Sequence, residues 1–194
     1  MMASDFAALA PREQIDHVVT QALSRQTPLY VGIDPGVSGA IAVLSPQVQA
    51  VAVCDIPTTK VARGHNKGKR TEYLYNAILA LFGALAGHSQ HIRVMLEHGQ
   101  PMGRNDTPLT AYSVGWGTGM WPLFLTAMDL AYELANPAVW KKAMGLAGKD
   151  KEASRVLAQR LFPGGRHALQ FKKDHNRAEA LLLAEYGRRR WQGQ

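Results

Sequence analysis

A single cysteine, Cys54, rules out an intrachain disulfide framework and any cysteine-based zinc site. It falls in a strand-like run and reads as a small core residue. Long apolar runs are also missing, with nothing near the roughly 18 consecutive apolar residues that a membrane span needs. The N-terminal stretch MMASDFAALAPREQIDHVV has no basic segment leading into an apolar one. With Asp5, Glu13 and Asp16 it is also too acidic for a transit peptide. The expectation is a soluble, non-exported protein of the cytoplasm in a bacterial or phage-infected cell, with an organellar matrix left open. Acidic side chains are the scarcer charge, 15 against 22 lysines and arginines, for a net of +7. The rest of the composition, 46% apolar with 10 prolines and 18 glycines over 194 residues, suits one α/β domain with a sizeable core.

The basic excess points to a polyanionic partner, because each lysine or arginine that neutralises a phosphate releases counterions. Its placement sharpens the point. Lys60, Arg63, Lys67, Lys69 and Arg70 crowd the stretch TTKVARGHNKGKR, and Lys141, Lys142, Lys149, Lys151 and Arg155 form a second group. Arg166, Lys172, Lys173, Arg177 and Arg188 to Arg190 form a third. Any one group reads as a solvated face. Three groups separated by nearly uncharged segments favour nucleic acid.

Residues 1–28 read as a helical extension and residues 29–194 as the main domain. Strand-like runs at 29–34, 39–45 and 48–55, joined by short connections, predict an antiparallel meander. After the basic stretch 58–70, TEYLYNAILALFGALAGH has helical spacing and Gly87 suits a C-cap. A fourth strand is expected at 91–97. A mostly apolar helix is expected at 107–127, with Asn105 or Asp106 as N-cap and Pro108 in the first turn. A short strand at 131–135 and helices at about 150–162 and 175–189 complete a mixed-sheet α/β order. Gly115, Gly117 and Gly119 weaken the long helix by about 1 kcal/mol each. They signal either a kink or close approach of another backbone, within the domain or across a dimer.

Three carboxylates stand out. In YVGIDPGVSGAIAVL a strand stops at Asp34 and a second resumes at Ala40, so Asp34 sits at the tip of a tight hairpin. Asp before Pro-Gly is also ordinary turn chemistry. Glu97 ends the strand VMLE at its C-terminal end, where α/β sheets gather ligands, although a strand-end Glu is often just solvated. In KKDHNRAEALLLAEYG, His175 and Glu179 share a helical face. There, Asn176 and Glu179 would also make a capping box, with Asp174 as a second candidate N-cap. Together, Asp34, Glu97 and Glu179 fit hard divalent cations, two of which, about 4 Å apart, can drive phosphodiester cleavage.

These motifs resemble the RuvC-type Holliday junction resolvases of the RNase H-like superfamily, in the pattern of the plant-chloroplast resolvases and their bacterial and phage relatives. GIDPGVSGAIAVL, VMLEHGQP, WKKAMGL with KDKEASRVLAQRLFP, and KKDHNRAEALLLAEYG carry the likeness across residues 30–187. The resemblance implies a five-stranded mixed sheet with helices on both faces, and a homodimer that cuts four-way junction DNA symmetrically. It implies two Mg2+ or Mn2+ ions per site, with Asp34 bridging and Glu97 and Glu179 as further ligands. Many relatives carry paired aspartates in the last motif, which this chain lacks. The fourth ligand is therefore open between His175, which is preferred, and Asp174. Lys151 resembles a lysine placed near the scissile phosphate, although a helix-start surface lysine would look the same. Phosphate contacts are expected from Lys60, Arg63, Lys67, Lys69, Arg70, Lys141, Lys142, Lys149, Lys172 and Lys173. The glycine-bearing turn also resembles the first phosphate loop of sugar kinases and actin-like proteins, but 194 residues leave no room for their second domain. A less selective RNase H-like nuclease and an inert junction-binding protein on the same scaffold compete with the resolvase.

Overall fold

The first strand is buried on both faces, and this sets the architecture. Leu29, Val31 and Ile33 point into one apolar cluster, while Tyr30 belongs to a second cluster on the opposite side. The computed structural model describes residues 3–48, 50–62, 68–99 and 107–193. The chain runs through helices α1 (Ala3–Ala8) and α2 (Pro11–Ser24), then strands β1 (Leu29–Asp34), β2 (Ala40–Ser45) and β3 (Ala50–Asp55). Strands β4 (Thr58–Ala62) and β5 (Lys69–Tyr73), helix α3 (Tyr75–Phe82) and strand β6 (Ile92–Glu97) follow. Helix α4 (Pro108–Ala127), strand β7 (Tyr132–Ala135) and helices α5 (Pro137–Ala143), α6 (Lys151–Leu161) and α7 (His175–Gln192) complete it.

Five strands form one sheet in the order β3-β2-β1-β6-β7. β1 pairs antiparallel with β2 and parallel with β6, and β6 pairs parallel with β7. This is the mixed sheet, three antiparallel strands first, that the sequence led us to expect. One face is covered by α2, α3 and α4 through Ile15, Val18, Phe82, Trp121 and Leu125. The other is covered by α5, α6 and α7 through Trp140, Ala158 and the run Ala180 to Ala184. The predicted extension is thus partly structural, because Ile15, Val18, Val19 and Ala22 of α2 are all buried in the same cluster as β1.

The approach of α7 to β1 is unusually close. A Cβ on Gly32 would lie 2.0 Å from the Ala180 carbonyl oxygen and 2.5 Å from the Ala184 backbone nitrogen. Glycine in the strand and alanines on the helix bring the two backbones into contact. Asp34 lies two residues beyond Gly32 on the same sheet face, and Glu179 lies one residue before Ala180. The packing of small residues therefore brings one carboxylate to the other.

The structure corrects the sequence reading in three places. The basic stretch 58–70, to which the sequence assigned no element, contributes the antiparallel ribbon β4–β5, with Thr58 opposite Tyr73 and Ala62 opposite Lys69. Exposed polar strands such as TTKVA and KRTEY carry little apolar alternation, which is why they escaped notice. Residues 71–73 then belong to β5, so α3 begins only at Tyr75. It ends at Gly83, while Gly87, with φ of +78°, closes the turn that follows. The short helix α5 was not expected at all. Its signal was Asn136-Pro137: the Asn136 side chain accepts from Ala138 N at 2.9 Å, and Pro137 occupies the first helical position.

Gly32→Ala should destabilise the protein by about 3 kcal/mol or more, since strand and helix must separate to admit the methyl group. Urea unfolding would measure this, and an unchanged midpoint would mean that α7 does not rest on β1 as described.

Candidate active site

Asp34 ends β1 opposite Ala40 of β2, and the chain turns back through Gly36 to Gly39. Gly39 N donates to the Gly36 carbonyl at 2.7 Å, and a Cβ at Gly39 would lie 2.0 Å from the Asp34 carbonyl oxygen. Only glycine fits the tightest part of this turn. The parallel pairing of β1 with β6 puts Ile33 beside Leu96, so Asp34 and Glu97 end neighbouring strands on the same face. Trp140 of α5, fully buried, donates its indole N–H to Glu97 Oε2 at 2.7 Å.

Glu179 enters from α7. Lys141 Nζ donates to both of its carboxylate oxygens at 3.1 Å, and Ser154 Oγ donates to Oε1 at 3.3 Å. His175 lies one turn earlier, half-buried at the start of α7. Its Nε2 faces Lys151 Nζ at 3.1 Å and its Nδ1 faces the Lys172 carbonyl at 3.1 Å. An ammonium only donates and a carbonyl only accepts, so this ring is the Nδ1–H tautomer with its Nε2 lone pair directed at a cation.

The carboxylates feel one another. Burial, followed by the negative charge of Glu179, pushes Asp34 up from 3.8 to about 6. Burial, the charge of Asp34 and a smaller contribution from Glu179 push Glu97 up from 4.5 to about 7, against the opposing pull of Trp140 and Lys141. Three acids share one low-dielectric pocket, with Lys141 as the cation among them.

Such a cluster calls for additional positive charge. Among the described residues, no three His, Cys, Asp or Glu side chains are arranged to hold an ion by themselves. That is compatible with magnesium, which is usually held by one or two carboxylates, with water and substrate phosphate completing its shell. Asp34, Glu97 and Glu179 offer hard oxygen donors, and His175 offers a lone pair. Lysine ammoniums face Glu179 and His175. The donor chemistry fits a divalent cation.

Other candidates lie elsewhere. Asp174 is buried, accepts from Phe171 N at 2.8 Å and faces Arg177, so it is committed to the start of α7 and turned away from the carboxylates. The Asn176–Glu179 capping box is not formed; the Asn176 amide donates to the Ser38 carbonyl, tying α7 to the Asp34 turn. Lys60, Lys69 and Arg70 are exposed on the ribbon, Lys142 is exposed in the last turn of α5, and Lys149, Lys172 and Lys173 are exposed just before α6 and α7. Arg63, Lys67 and the caps Asn105 and Asp106 lie outside the described residues. Lys141, expected on DNA, sits among the carboxylates. Trp140 and Ser154 were missed, because contact across 43 and 25 residues leaves no local signal.

Over 87 residues the chain is 41% identical to the chloroplastic Holliday junction resolvase MOC1 of Chlamydomonas reinhardtii. The chain is similar to a Holliday junction resolvase. The matched stretch covers 44% of this chain and spans only 10% of the length of that relative. Among solved structures, Thermus thermophilus RuvC aligns with 84% of this chain and 96% of its own, at a TM-score of 0.49 and 14% identity. The T. thermophilus RuvC complex with Holliday junction substrate aligns with the same coverage and identity at 0.48. No protein-family model matches the chain.

The raised carboxylates make a signed prediction. Their folded pKa values exceed the unfolded ones, so protonation stabilises the fold fully below about pH 4 and this stabilisation is lost as pH rises through about 6 to 7. Calorimetry in chelator should show the melting temperature falling over this window. Asp34→Asn should flatten the profile and melt higher than wild type at neutral pH. A variant with an unaltered profile would mean that the acids are not coupled.

Proposed function

We propose that the chain is a structure-selective endodeoxyribonuclease that resolves four-way DNA junctions by paired, metal-dependent phosphodiester hydrolysis. The observation that carries this reading is the convergence of Asp34, Glu97 and Glu179 from two adjacent strand ends and α7, where burial and mutual charge raise Asp34 and Glu97. The partial identity to a chloroplastic junction resolvase supplies the substrate class. Asp34, Glu97, Glu179 and His175 Nε2 would be the side chains that hold the divalent ions. When bound, such ions activate water and stabilise the leaving oxygen.

The chain's own residues do the positioning. Trp140 fixes which oxygen of Glu97 is free, because Oε2 accepts its N–H. The hydrogen bond from His175 Nδ1 to the Lys172 carbonyl orients the ring and, in the neutral imidazole, selects the tautomer with its lone pair on Nε2. Lys141 balances Glu179 and can swing to a phosphate once other positive charge arrives. Lys151, at the first position of α6, stands where a phosphate beside His175 would meet it. The ribbon lysines and arginine grip backbone phosphates, which positions DNA without reading its sequence.

Paired incision requires two sites, and α4 offers a surface for a second copy. It carries no charged residue over 20 positions, and it leaves Tyr112, Trp116 and Leu123 at 62%, 49% and 72% exposure. Gly117 is not part of that surface. Its Cβ would meet Tyr73 and Pro35 of the same chain, so the close approach expected at this glycine lies within the domain. Among the described residues, no helix is long and apolar enough to cross a membrane. The proposed place of action is a compartment that holds DNA: the cytoplasm of a bacterial or phage-infected cell, or an organellar matrix, as for the chloroplastic relative.

A labelled four-way junction, with linear duplex and single strand as controls, tests the proposal. Wild type with magnesium should give paired nicks in the junction alone. Asp34→Asn should lose about a thousandfold or more in rate while still binding, and binding should weaken steeply with salt. Binding without cleavage in magnesium or manganese would point instead to an inert junction-binding protein, and equal cutting of all three substrates to a less selective nuclease. Leu123→Asp should shift the protein from dimer to monomer in sedimentation equilibrium, and unpaired nicks should replace paired ones. A monomeric wild type would remove the dimer from this reading.

A further inference from the structure

The ribbon β4–β5 is joined to the Asp34 turn on both sides. Just before β4, Ile56 N donates to the Gly39 carbonyl at 3.0 Å, at the end of the turn. At the end of β5, the Tyr73 hydroxyl donates to the Pro35 carbonyl, at the beginning of the turn. Leu74 N to the Pro57 carbonyl, at 2.9 Å, closes the ribbon's own base. The turn that carries Asp34 is therefore held at both shoulders by the element that presents Lys60, Lys69 and Arg70.

Tyr73 is built for this contact. Its ring is buried, edge-on to Trp121 with 6.3 Å between centroids, and it also contacts Tyr75. Helix α4 roofs the bond at a glycine: a Cβ on Gly117 would come within 3.1 Å of the Tyr73 hydroxyl and 3.2 Å of the Pro35 carbonyl oxygen. A methyl group there would be tight against both oxygens, and the pair would have to give by a few tenths of an ångström. A hydroxyl-to-carbonyl bond shielded in this way is not readily exchanged for water.

We propose that Tyr73 is a positioning residue that couples the basic ribbon to the Asp34 turn, so that phosphate contacts on the ribbon set where Asp34 stands. This rests on the nuclease reading above. The turn's other restraints are its own Gly36–Gly39 bond, the Gly36 N–H to Asp34 Oδ1 at 3.4 Å, the Ile56 bond to Gly39 and the Asn176 contact to Ser38. Without the Tyr73 hydroxyl, Pro35 is free on the ribbon side and DNA binding no longer reports to Asp34.

The test uses Tyr73→Phe, which keeps the ring and removes only the hydroxyl, and Gly117→Ala, which keeps the hydroxyl and crowds the bond. Three quantities are read in the full chain. They are the single-turnover cleavage rate of a labelled junction in magnesium, the junction Kd in chelator, and amide exchange across residues 34–40 with and without junction. Both variants should lose about tenfold or more in rate with Kd kept within about twofold. Exchange at the turn should be faster, and protection on junction binding should be lost, while β1 and β6 stay protected. Wild-type rates and exchange in both variants would overturn the coupling, as would a rate loss matched by an equal loss of binding. If Tyr73→Phe fails to fold, Gly117→Ala decides alone. A wild type that never cuts the junction would refute the nuclease reading; exchange in the free variants still decides whether the hydroxyl holds the turn.

Discussion

Everything at the candidate site depends on the backbone contact between β1 and α7. A carboxylate at the end of a strand and another on a helix usually lie too far apart to share a pocket, because intervening side chains hold helix and sheet apart. Here Gly32, Ala180 and Ala184 remove those side chains, and the helix settles onto the strand. The parallel pairing of β1 and β6 adds the third acid without further construction, since neighbouring parallel strands end side by side. One steric circumstance and one pairing rule therefore bring three acids together from residues 34, 97 and 179.

The resulting concentration of negative charge is unfavourable for the fold, and the surroundings show how it is tolerated. Buried carboxylates with few donors take up protons more readily, as Asp34 and Glu97 do, or recruit cations, as Glu179 does with Lys141. Tight packing around the acids keeps them from swinging apart into solvent. Trp140 holds Glu97 through its indole, and Ser154 and Lys141 hold Glu179 from α6 and α5. Functional sites often retain strain of this kind that a core optimised for stability alone would not.

Most of the architecture was legible in the sequence because its strong signals are local. The runs that became β1, β2 and β3 alternate or are continuously apolar, and α4 shows its length despite three glycines and Pro122. Asp34 and Glu97 could be named because each ends a strand, and Glu179 because it shares a helical face with His175. What stayed hidden was either weakly patterned or purely spatial. The ribbon is mostly polar and its strands are short, so no period-two alternation stands out, and α5 is only seven residues long. Lys141 looked like one more basic residue in a basic segment; only the fold shows that it faces Glu179 rather than solvent. The same holds for Gly117, whose role is set by Pro35 and Tyr73, far away in the chain.

The order of the elements along the chain adds a temporal dimension. The strands that carry the acids at 34 and 97 leave the ribosome before α7, which follows both in the chain. Until it docks, Gly32 faces an uncovered sheet and no third carboxylate is present. Contacts between residues roughly 150 positions apart form late in folding, after the entropy of closing so long a loop has been overcome. An incompletely synthesised chain can thus bury α2 against the growing sheet while its acidic pocket remains unbuilt, so chemical competence arrives only when the whole domain is finished.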